Sequence, residues 1–154
     1  MIKKISILSV IFILIDQIVK ILVDNFLVYK NIIPGFLSLS YEKNYGVAFS
    51  LFSGNTILII LLSFVLIFIF SYVLYKEYLI KNENDNINNF IYALIYGGIF
   101  GNLIDRLIRG YVIDFISLNI FGYNFPVFNL ADIFIVGGVL LMIIYDFKKE
   151  KILC

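Results

Sequence analysis

The chain has 154 residues, of which 62% are hydrophobic, and its formal net charge is +1. Soluble domains contain roughly 45–50% apolar residues, so this composition predicts a membrane protein, and the near-neutral charge gives no indication of a nucleic-acid partner. There is no histidine, and the single cysteine is the last residue, Cys154. These absences exclude Ser-His-Asp and Cys-His catalysis, an intrachain disulfide and a histidine-based metal site. No glycine-rich phosphate-binding motif occurs either, so we expect neither a metal nor a cofactor.

Four mainly apolar segments are long enough to cross a bilayer, which takes about 18 or more such residues. They are Ile5 to Val23, Thr56 to Tyr75, Phe90 to Ile108 and Phe128 to Phe147. They leave no room for a separate soluble domain, so we expect one integral-membrane domain over residues 1–154. A signal-peptide core is the alternative for the first segment, but no small-x-small cleavage pattern follows it.

The distribution of basic residues predicts the orientation of these spans. Four spans place both termini on one side, which carries seven lysines, against five lysines and arginines on the other side. The difference becomes seven against two when Lys20, Arg106 and Arg109 are set aside as members of polar clusters. Because basic residues concentrate in cytoplasmic segments, we expect both termini in the cytoplasm.

Three of the predicted helices carry a carboxylate at a similar depth. At about 1.5 Å per residue from the cytoplasmic ends, Asp16, Asp105 and Asp132 lie roughly 20–24 Å into a hydrocarbon layer about 30 Å thick. Each has polar companions at helical spacing: Asp16 has Lys20 at i+4, Asn102 has Asp105 and Arg106 at i+3 and i+4, and Asn129 has Asp132 at i+3. Such one-sided stripes turn inward, so the sequence predicts a polar pocket toward the outer membrane face. For any single charge, a structural ion pair between helices is the alternative.

Two segments between the spans show the alternation that is typical of strands. Leu37, Leu39 and Tyr41 alternate with polar residues before a predicted turn near Asn44 and Gly46, and a second segment runs from Gly110 to Pro126. The predicted fold is therefore an all-α membrane bundle of four helices with a small periplasmic β platform.

Two glycines in the third span, Gly97 and Gly101, form a G-x-x-x-G pattern. This pattern predicts close helix packing rather than a direct role in chemistry.

A pair of carboxylates is the remaining candidate for catalysis. Two carboxyl groups within a few Å of each other share one proton, so that one activates water while the other polarises a carbonyl group. Asp114 and Asp132 fit this role best by position. Asp105 has Arg109 four residues on, and Asp16 has Lys20 in the same relation, which favours permanently ionised structural carboxylates.

Four motifs in chain order resemble the signature blocks of the lipoprotein signal peptidase family, also called signal peptidase II. They are "DQIVK" at Asp16 to Lys20, "NYGVAFS" at Asn44 to Ser50, "GNLIDRLIRGYVIDF" at Gly101 to Phe115 and "FNLAD" at Phe128 to Asp132. The resemblance covers the whole chain, including its length, its four spans and the placement of its loops.

The resemblance implies an intramembrane aspartic endopeptidase of the bacterial cytoplasmic (inner) membrane. Such an enzyme cleaves diacylglyceryl-modified prolipoproteins on the amino side of the lipidated cysteine, beneath a β cradle formed by the outer loops. By their place in the motifs, Asp114 and Asp132 would be the catalytic dyad. The residues implied to line or support the site are Asp16, Lys20, Asn44, Asn102, Asp105, Arg106 and Asn129. We expect lipid-modified prolipoproteins and membrane lipids as partners, and a monomer.

Two other classes of protein also carry intramembrane carboxylates. A small proton- or ion-coupled transporter is one alternative, but transporters usually show internal repeats and bind near the midplane. This chain has no detectable repeat, and its carboxylates lie nearer one face. The other alternative is a purely structural membrane subunit, which predicts that neutralising Asp114 has little effect.

Overall fold

The computed structural model describes residues 2–26, 29–46, 51–76 and 85–153, without the side chains of residues 149–153. The helices are α1 (Ile2–Phe26), α2 (Thr56–Tyr75), α3 (Asn86–Arg109) and α4 (Leu130–Leu153). The strands are β1 (Lys30–Ile33), β2 (Leu37–Asn44), β3 (Val112–Ile120) and β4 (Tyr123–Asn124). Cys154, most of the polar linker between the second and third spans, and the end of the "NYGVAFS" motif lie outside the described residues.

The described ranges contain four helices that are long and apolar enough to cross a membrane, which confirms the four predicted spans. Three of the helices start before, or end after, the predicted segments, because helical hydrogen bonding continues into polar residues such as Lys3 and Asp24. The fourth helix begins at Leu130, two residues later than predicted. Phe128 instead forms an isolated bridge with Ile116 of β3.

Helix α3 lies at the centre of the bundle and is the most buried of the four helices. Its residues Ile91, Ile95 and Ile99 recur every four positions and pack against Ile135 and Val139 of α4. The other three helices expose many large aliphatic and aromatic side chains. Apolar faces of this kind suit contact with lipid chains. The burial pattern therefore agrees with the membrane protein that the composition predicts.

Glycines let the neighbouring helices approach α3 closely. A Cβ atom on Gly97 would lie 2.6 Å from Phe12 Cβ of α1, and one on Gly101 would lie 2.7 Å from Asp16 Oδ2. Gly98 does the same on the α4 side, where an added Cβ would collide with the Ala131 carbonyl oxygen. The close packing predicted for Gly97 and Gly101 is therefore confirmed, and it brings polar groups of α1, α3 and α4 together.

The predicted β platform is confirmed as an antiparallel sheet with strand order β1-β2-β3-β4. It packs on the end of the bundle through Ile113 and Phe115 of β3 and Val23 of α1, with Leu39 and Tyr41 of β2 alongside. This contact holds the sheet over the polar ends of α3 and α4.

Strand β2 lies between β1 and β3 in the sheet, and residues 47–50, which directly follow the predicted turn, lie outside the described residues. The turn after β2 does form, since Gly46 N donates to Asn44 Oδ1 at 2.8 Å, but β2 pairs with β1 and β3. The reversal between β1 and β2 is closed by Phe36 N donating to Ile33 O at 3.0 Å. The sequence KNII of β1 lacks the apolar alternation that indicates β2, and all four of its residues are exposed.

The junction between α3 and β3 determines where Asp114 lies. Gly110 ends α3 in the left-handed conformation, with φ of +78°, and Gly110 N donates to Arg106 O. Glycine adopts this conformation without steric cost, and it turns the chain sharply. The strand that follows brings Asp114 opposite Glu42 of β2, so Asp114 lies where the sheet meets the helices.

Candidate active site

The first group of polar side chains is a buried ion-pair cluster between α1 and α3. Lys20 Nζ lies 2.8 Å from Asp16 Oδ2 and 2.9 Å from Asp105 Oδ2, and all three side chains are fully buried. Arg109 also pairs with Asp105, at the i,i+4 spacing noted in the sequence. Each buried carboxylate thus has a cation beside it, as a buried charge requires.

Further hydrogen bonds tie this ion-pair cluster to the rest of the site. Asp16 Oδ1 accepts from Ala131 N of α4 at 3.0 Å, and Asp105 Oδ2 accepts from Ile113 N at 3.3 Å. Gln17 Nε2 donates to Asp105 Oδ1 and to Gly101 O, each at 3.1 Å. Sequence reasoning did not single out Gln17; the signal available was a polar side chain within the apolar first span.

The second group contains Asp114 and Asp132, which we call the dyad, and it is held by amides instead of cations. Asp114 Oδ1 accepts from Asn129 Nδ2 at 2.6 Å, and its Oδ2 accepts from Asn44 Nδ2 at 2.8 Å. Asp132 Oδ1 accepts from Asn102 Nδ2 at 2.8 Å. Among the described residues, no lysine or arginine nitrogen lies within ion-pair distance of either dyad carboxylate.

Asn129 contacts both members of the dyad. While its Nδ2 donates to Asp114, its backbone N donates to Asp132 Oδ2 at 3.1 Å. Asp132 N donates back to Asn129 Oδ1 at 3.0 Å. These reciprocal bonds form a capping box at the first turn of α4, and they fix the orientation of the Asp132 carboxylate.

The environment of Asp114 raises the pKa of its carboxyl group to about 6, chiefly because burial disfavours the ionised form and further because Asp132 lies nearby. The hydrogen bonds from Asn44 and Asn129 act in the opposite direction, because they stabilise the carboxylate. Its side chain is almost fully buried, whereas Asp132 is partly exposed. A proton can therefore be held at Asp114 close to neutral pH while Asp132 remains open to a ligand.

Arg106 links the dyad to the turn after β2. Its Nη2 donates to Gly46 O at 2.9 Å, and its Nη1 donates to Asn102 O at 3.2 Å. Its charge is close enough to act on Asp132 and Asp114. The sequence placed Arg106 beside Asp105, but Arg109 takes that ion pair and Arg106 faces the dyad.

The structure thus brings every site residue predicted from the sequence into one of two adjoining groups. Asp16, Lys20 and Asp105 belong to the ion-pair cluster. The residues around the dyad are Asn44, Asn102, Arg106, Asp114, Asn129 and Asp132. The two groups meet where Lys20 Nζ donates to Asn102 Oδ1 at 2.9 Å.

Comparison with protein families identifies the group to which this chain belongs. The family model described as "Signal peptidase (SPase) II" matches residues 8–148. The chain is a member of the signal peptidase II family. Family membership makes it a peptidase, and its four spanning helices make it an integral membrane protein.

Individual relatives and solved structures agree with this assignment. A lipoprotein signal peptidase of Caldicellulosiruptor bescii is 39% identical over 136 residues, which cover 87% of this chain and 84% of the relative. The lipoprotein signal peptidase of Thermodesulfovibrio yellowstonii is 41% identical over 152 residues, which cover 95% of this chain and 96% of the relative. A solved bacterial membrane enzyme superimposes with a TM-score of 0.84 at 29% identity, covering 97% of this chain and 91% of that one. A second solved bacterial membrane enzyme superimposes with a TM-score of 0.80 at 30% identity, covering 94% of this chain and 93% of that one.

Proposed function

We propose that this protein is an aspartic endopeptidase that removes signal peptides from diacylglyceryl-modified prolipoproteins, and that Asp114 and Asp132 are its catalytic dyad. It would cleave on the amino side of the lipidated cysteine. The observation that carries this proposal is the shared hydrogen bonding of both carboxylates to Asn129, apart from the ion-pair cluster. The relatives named lipoprotein signal peptidase support the substrate class.

In the proposed mechanism, a water molecule lies between the two carboxyl groups. Asp132, in its ionised form, removes a proton from the water, whose oxygen attacks the carbonyl carbon of the scissile bond. Asp114 holds the shared proton and donates it to the carbonyl oxygen as the tetrahedral intermediate forms. Breakage of the carbon–nitrogen bond then releases the cysteine amine, which takes the proton gained by Asp132, while a hydroxyl group of the intermediate returns a proton to Asp114.

The surrounding residues have supporting roles in this proposal. Asn44, Asn102 and Asn129 orient the carboxylates, and Arg106 supplies a positive charge that acts on the carboxylates of the dyad. The ion-pair cluster of Asp16, Lys20 and Asp105 holds α1 and α3 in register beneath the dyad and takes no part in proton transfer.

The position of the dyad suits a lipid-anchored substrate. It lies where the sheet meets the helix ends, and an acylated cysteine keeps its peptide bond near the headgroups while its chains stay in the hydrocarbon. We propose that the protein acts as a monomer in the bacterial cytoplasmic membrane. The sheet would face outward, and both termini would lie in the cytoplasm, as the lysine distribution predicts.

The test is cleavage by the purified protein in detergent of a diacylglyceryl-modified prolipoprotein and of its unmodified precursor. We expect Asp114→Asn and Asp132→Asn each to lower the rate by about 10²–10⁴-fold, the usual contribution of acid–base catalysis. Asp146→Asn is the matched control, since Asp146 is exposed at the opposite end of α4. Near wild-type cleavage by either dyad variant would contradict the proposal, as would loss of activity on addition of a chelator.

A further inference from the structure

A groove runs between α1 and α2 in the half of the bundle away from the dyad, and it has a volume of about 710 Å³. Both helices pack chiefly against α3, so Tyr96 and Phe100 of α3 form the floor of the groove. The residues of α1 and α2 that line it include Ile2, Ile5, Val10, Ile13, Ile67 and Leu74. We call this space the α1–α2 groove. None of the roles described above uses it.

The interior of the α1–α2 groove suits a hydrocarbon chain. Most of its lining is aliphatic or aromatic, and no charged residue lines it among the described residues. The hydroxyl groups of Ser71 and Tyr96 hydrogen-bond to each other at 2.8 Å, so they do not need a polar ligand. The hydroxyl oxygen of Ser9 is buried and does not face the groove. The groove therefore offers an apolar ligand contact area without leaving a polar group unsatisfied.

The dimensions of the α1–α2 groove match one acyl chain. Its wall on α1 extends from Ile2 to Ile13, and eleven steps of about 1.5 Å give a length of roughly 17 Å. One leaflet contributes about 15 Å to the hydrocarbon layer of a membrane. A further transmembrane helix is about 10 Å across, so this length of it occupies roughly 1,300 Å³, nearly twice the volume of the groove. A single acyl chain is narrower than a helix, and the dimensions favour it.

Basic residues flank the end of the groove where α1 begins and α2 ends. Lys3 follows Ile2 in α1, and Lys76 follows Tyr75 at the end of α2. Both lysines are exposed, and among the described residues no carboxylate lies within ion-pair distance of either. Lysines at the end of a membrane span attract anionic lipid headgroups. The apolar groove thus opens beside two positive charges, which is the pattern of an acidic lipid with its tail.

From these features we infer that the α1–α2 groove binds one acyl chain of an anionic phospholipid, whose phosphate lies near Lys3 and Lys76. The lipid belongs to the cytoplasmic leaflet if the termini lie in the cytoplasm, as proposed above. Binding itself depends neither on that orientation nor on the proposed peptidase activity. Because the chain fills the space between α1 and α2, the bound lipid stabilises the folded bundle.

The first experiment measures thermal unfolding of the purified full chain in detergent, at rising mole fractions of phosphatidylglycerol or of phosphatidylcholine with the same acyl chains. In the wild-type protein the half-maximal rise in Tm should occur at about 10- to 30-fold less phosphatidylglycerol, the contribution of two lysines. Combining Lys3→Gln with Lys76→Gln should bring the two lipids to the same value. The control combines Lys30→Gln with Lys43→Gln, which removes the same charge from exposed positions of the sheet and should preserve the difference.

The second experiment fills the groove. Val10→Phe enlarges a wall residue that is 53% exposed, so the variant should need about tenfold more of either lipid for the half-maximal rise in Tm. Val65→Phe is the matched control, because Val65 of α2 is 51% exposed and does not line the groove. It should respond to both lipids as the wild-type protein does.

Equal half-maximal mole fractions of the two lipids in the wild-type protein would overturn the inference. A difference that survives in the variant with Lys3→Gln and Lys76→Gln would overturn it too, even if Val10→Phe fails to fold. If Val10→Phe raises KM for a lipidated substrate and leaves the response to lipids unchanged, the groove holds a signal peptide and the inference is wrong. Loss of cleavage alone bears on the proposed function, because the unfolding measurements contain no substrate.

Discussion

Two pairs of aspartates lie side by side in this molecule, and their surroundings differ. Asp16 and Asp105 are fully buried and contact the ammonium group of Lys20 directly. Asp114 and Asp132 accept hydrogen bonds from neutral amides and share Asn129. A neighbouring cation favours the ionised form of a carboxylate, whereas a buried carboxylate held by neutral amides lacks that stabilisation. The groups that contact an acidic side chain, more than its depth in the membrane, therefore determine whether it can exchange a proton.

Removing the cation from the first pair should have the largest effect on stability. Lys20→Met leaves Asp16 and Asp105 buried beside each other without their ammonium partner, and breaking such a pair lowers stability by about 3–5 kcal/mol. Denaturant or thermal unfolding in detergent would measure the loss. Lys30→Met, at an exposed lysine of β1, is the control.

A double variant tests the role of the ion-pair cluster more directly. Lys20→Met leaves Asp16 without a cation, whereas Asp105 keeps its ion pair with Arg109. Combining Lys20→Met with Asp16→Asn removes the uncompensated charge, so the double variant should be more stable than Lys20→Met alone. If Lys20→Met unfolds at the same point as the wild-type protein, the ion-pair cluster does not hold α1 and α3 together in the way that we describe.

A smaller loss of stability is expected from a change at Gly101, where α1, α3 and α4 approach one another closely. A Cβ on Gly101 would lie 2.7 Å from Asp16 Oδ2 and 3.3 Å from Ala131 Cβ. Gly101→Ala should therefore lower stability by about 1–3 kcal/mol, as overpacking usually does, and also reduce cleavage. Gly137→Ala is the matched control, because nothing lies within 4 Å of its added Cβ. Equal melting of the two variants would count against close packing at Gly101.

The titration of Asp114 should appear in the pH dependence of cleavage. The raised pKa of Asp114, about 6, keeps its proton in place at a pH where an ordinary aspartate has lost it. Above that pKa the dyad loses the shared proton, so kcat/KM should fall by about tenfold per pH unit on the alkaline side. Below that pKa the shared proton is in place, so kcat/KM should level off. A profile that stays flat through this range would show that Asp114 does not carry the proton.

The smallest predicted effect concerns one amide. The hydrogen bond from Asn44 favours the ionised form of Asp114 and so lowers the pKa of that carboxyl group. Asn44→Ala removes the hydrogen bond, so the alkaline limb of the cleavage profile should move to higher pH. Asn25→Ala, at an exposed residue near the end of α1, should leave the limb in place. A move to lower pH in Asn44→Ala would contradict the assignment.

The sequence predicts the spans and the level of the carboxylates because both follow from simple periodicities. Runs of apolar residues mark the helices, and the rise per residue brings Asp16, Asp105 and Asp132 to one depth. The structure agrees at the first turn of α4, where Ala131 N, next to Asp132, donates to Asp16. The ion pair between Lys20 and Asp16 is predictable in the same way from their i,i+4 spacing.

Other features depend on contacts between distant parts of the chain and could not be read from spacing. The late start of α4 results from the pairing of Phe128 with Ile116 across the site. The contacts of Gln17 with Gly101 and Asp105 appear only when α1 packs on α3. The ion pair between Asp105 and Arg109 is predictable from their i,i+4 spacing, but the contact of Arg106 with Gly46 O forms only when the turn after β2 lies over α3.

The cap of α4 has a consequence for ligand design. Because Asn129 hydrogen-bonds both carboxylates, moving the two acids apart requires at least one of these bonds to break. From the proposed function we therefore expect rigid inhibitors that fit between the two carboxylates without breaking these bonds to bind best. Flexible compounds that rely on the acids moving apart to admit them should bind poorly.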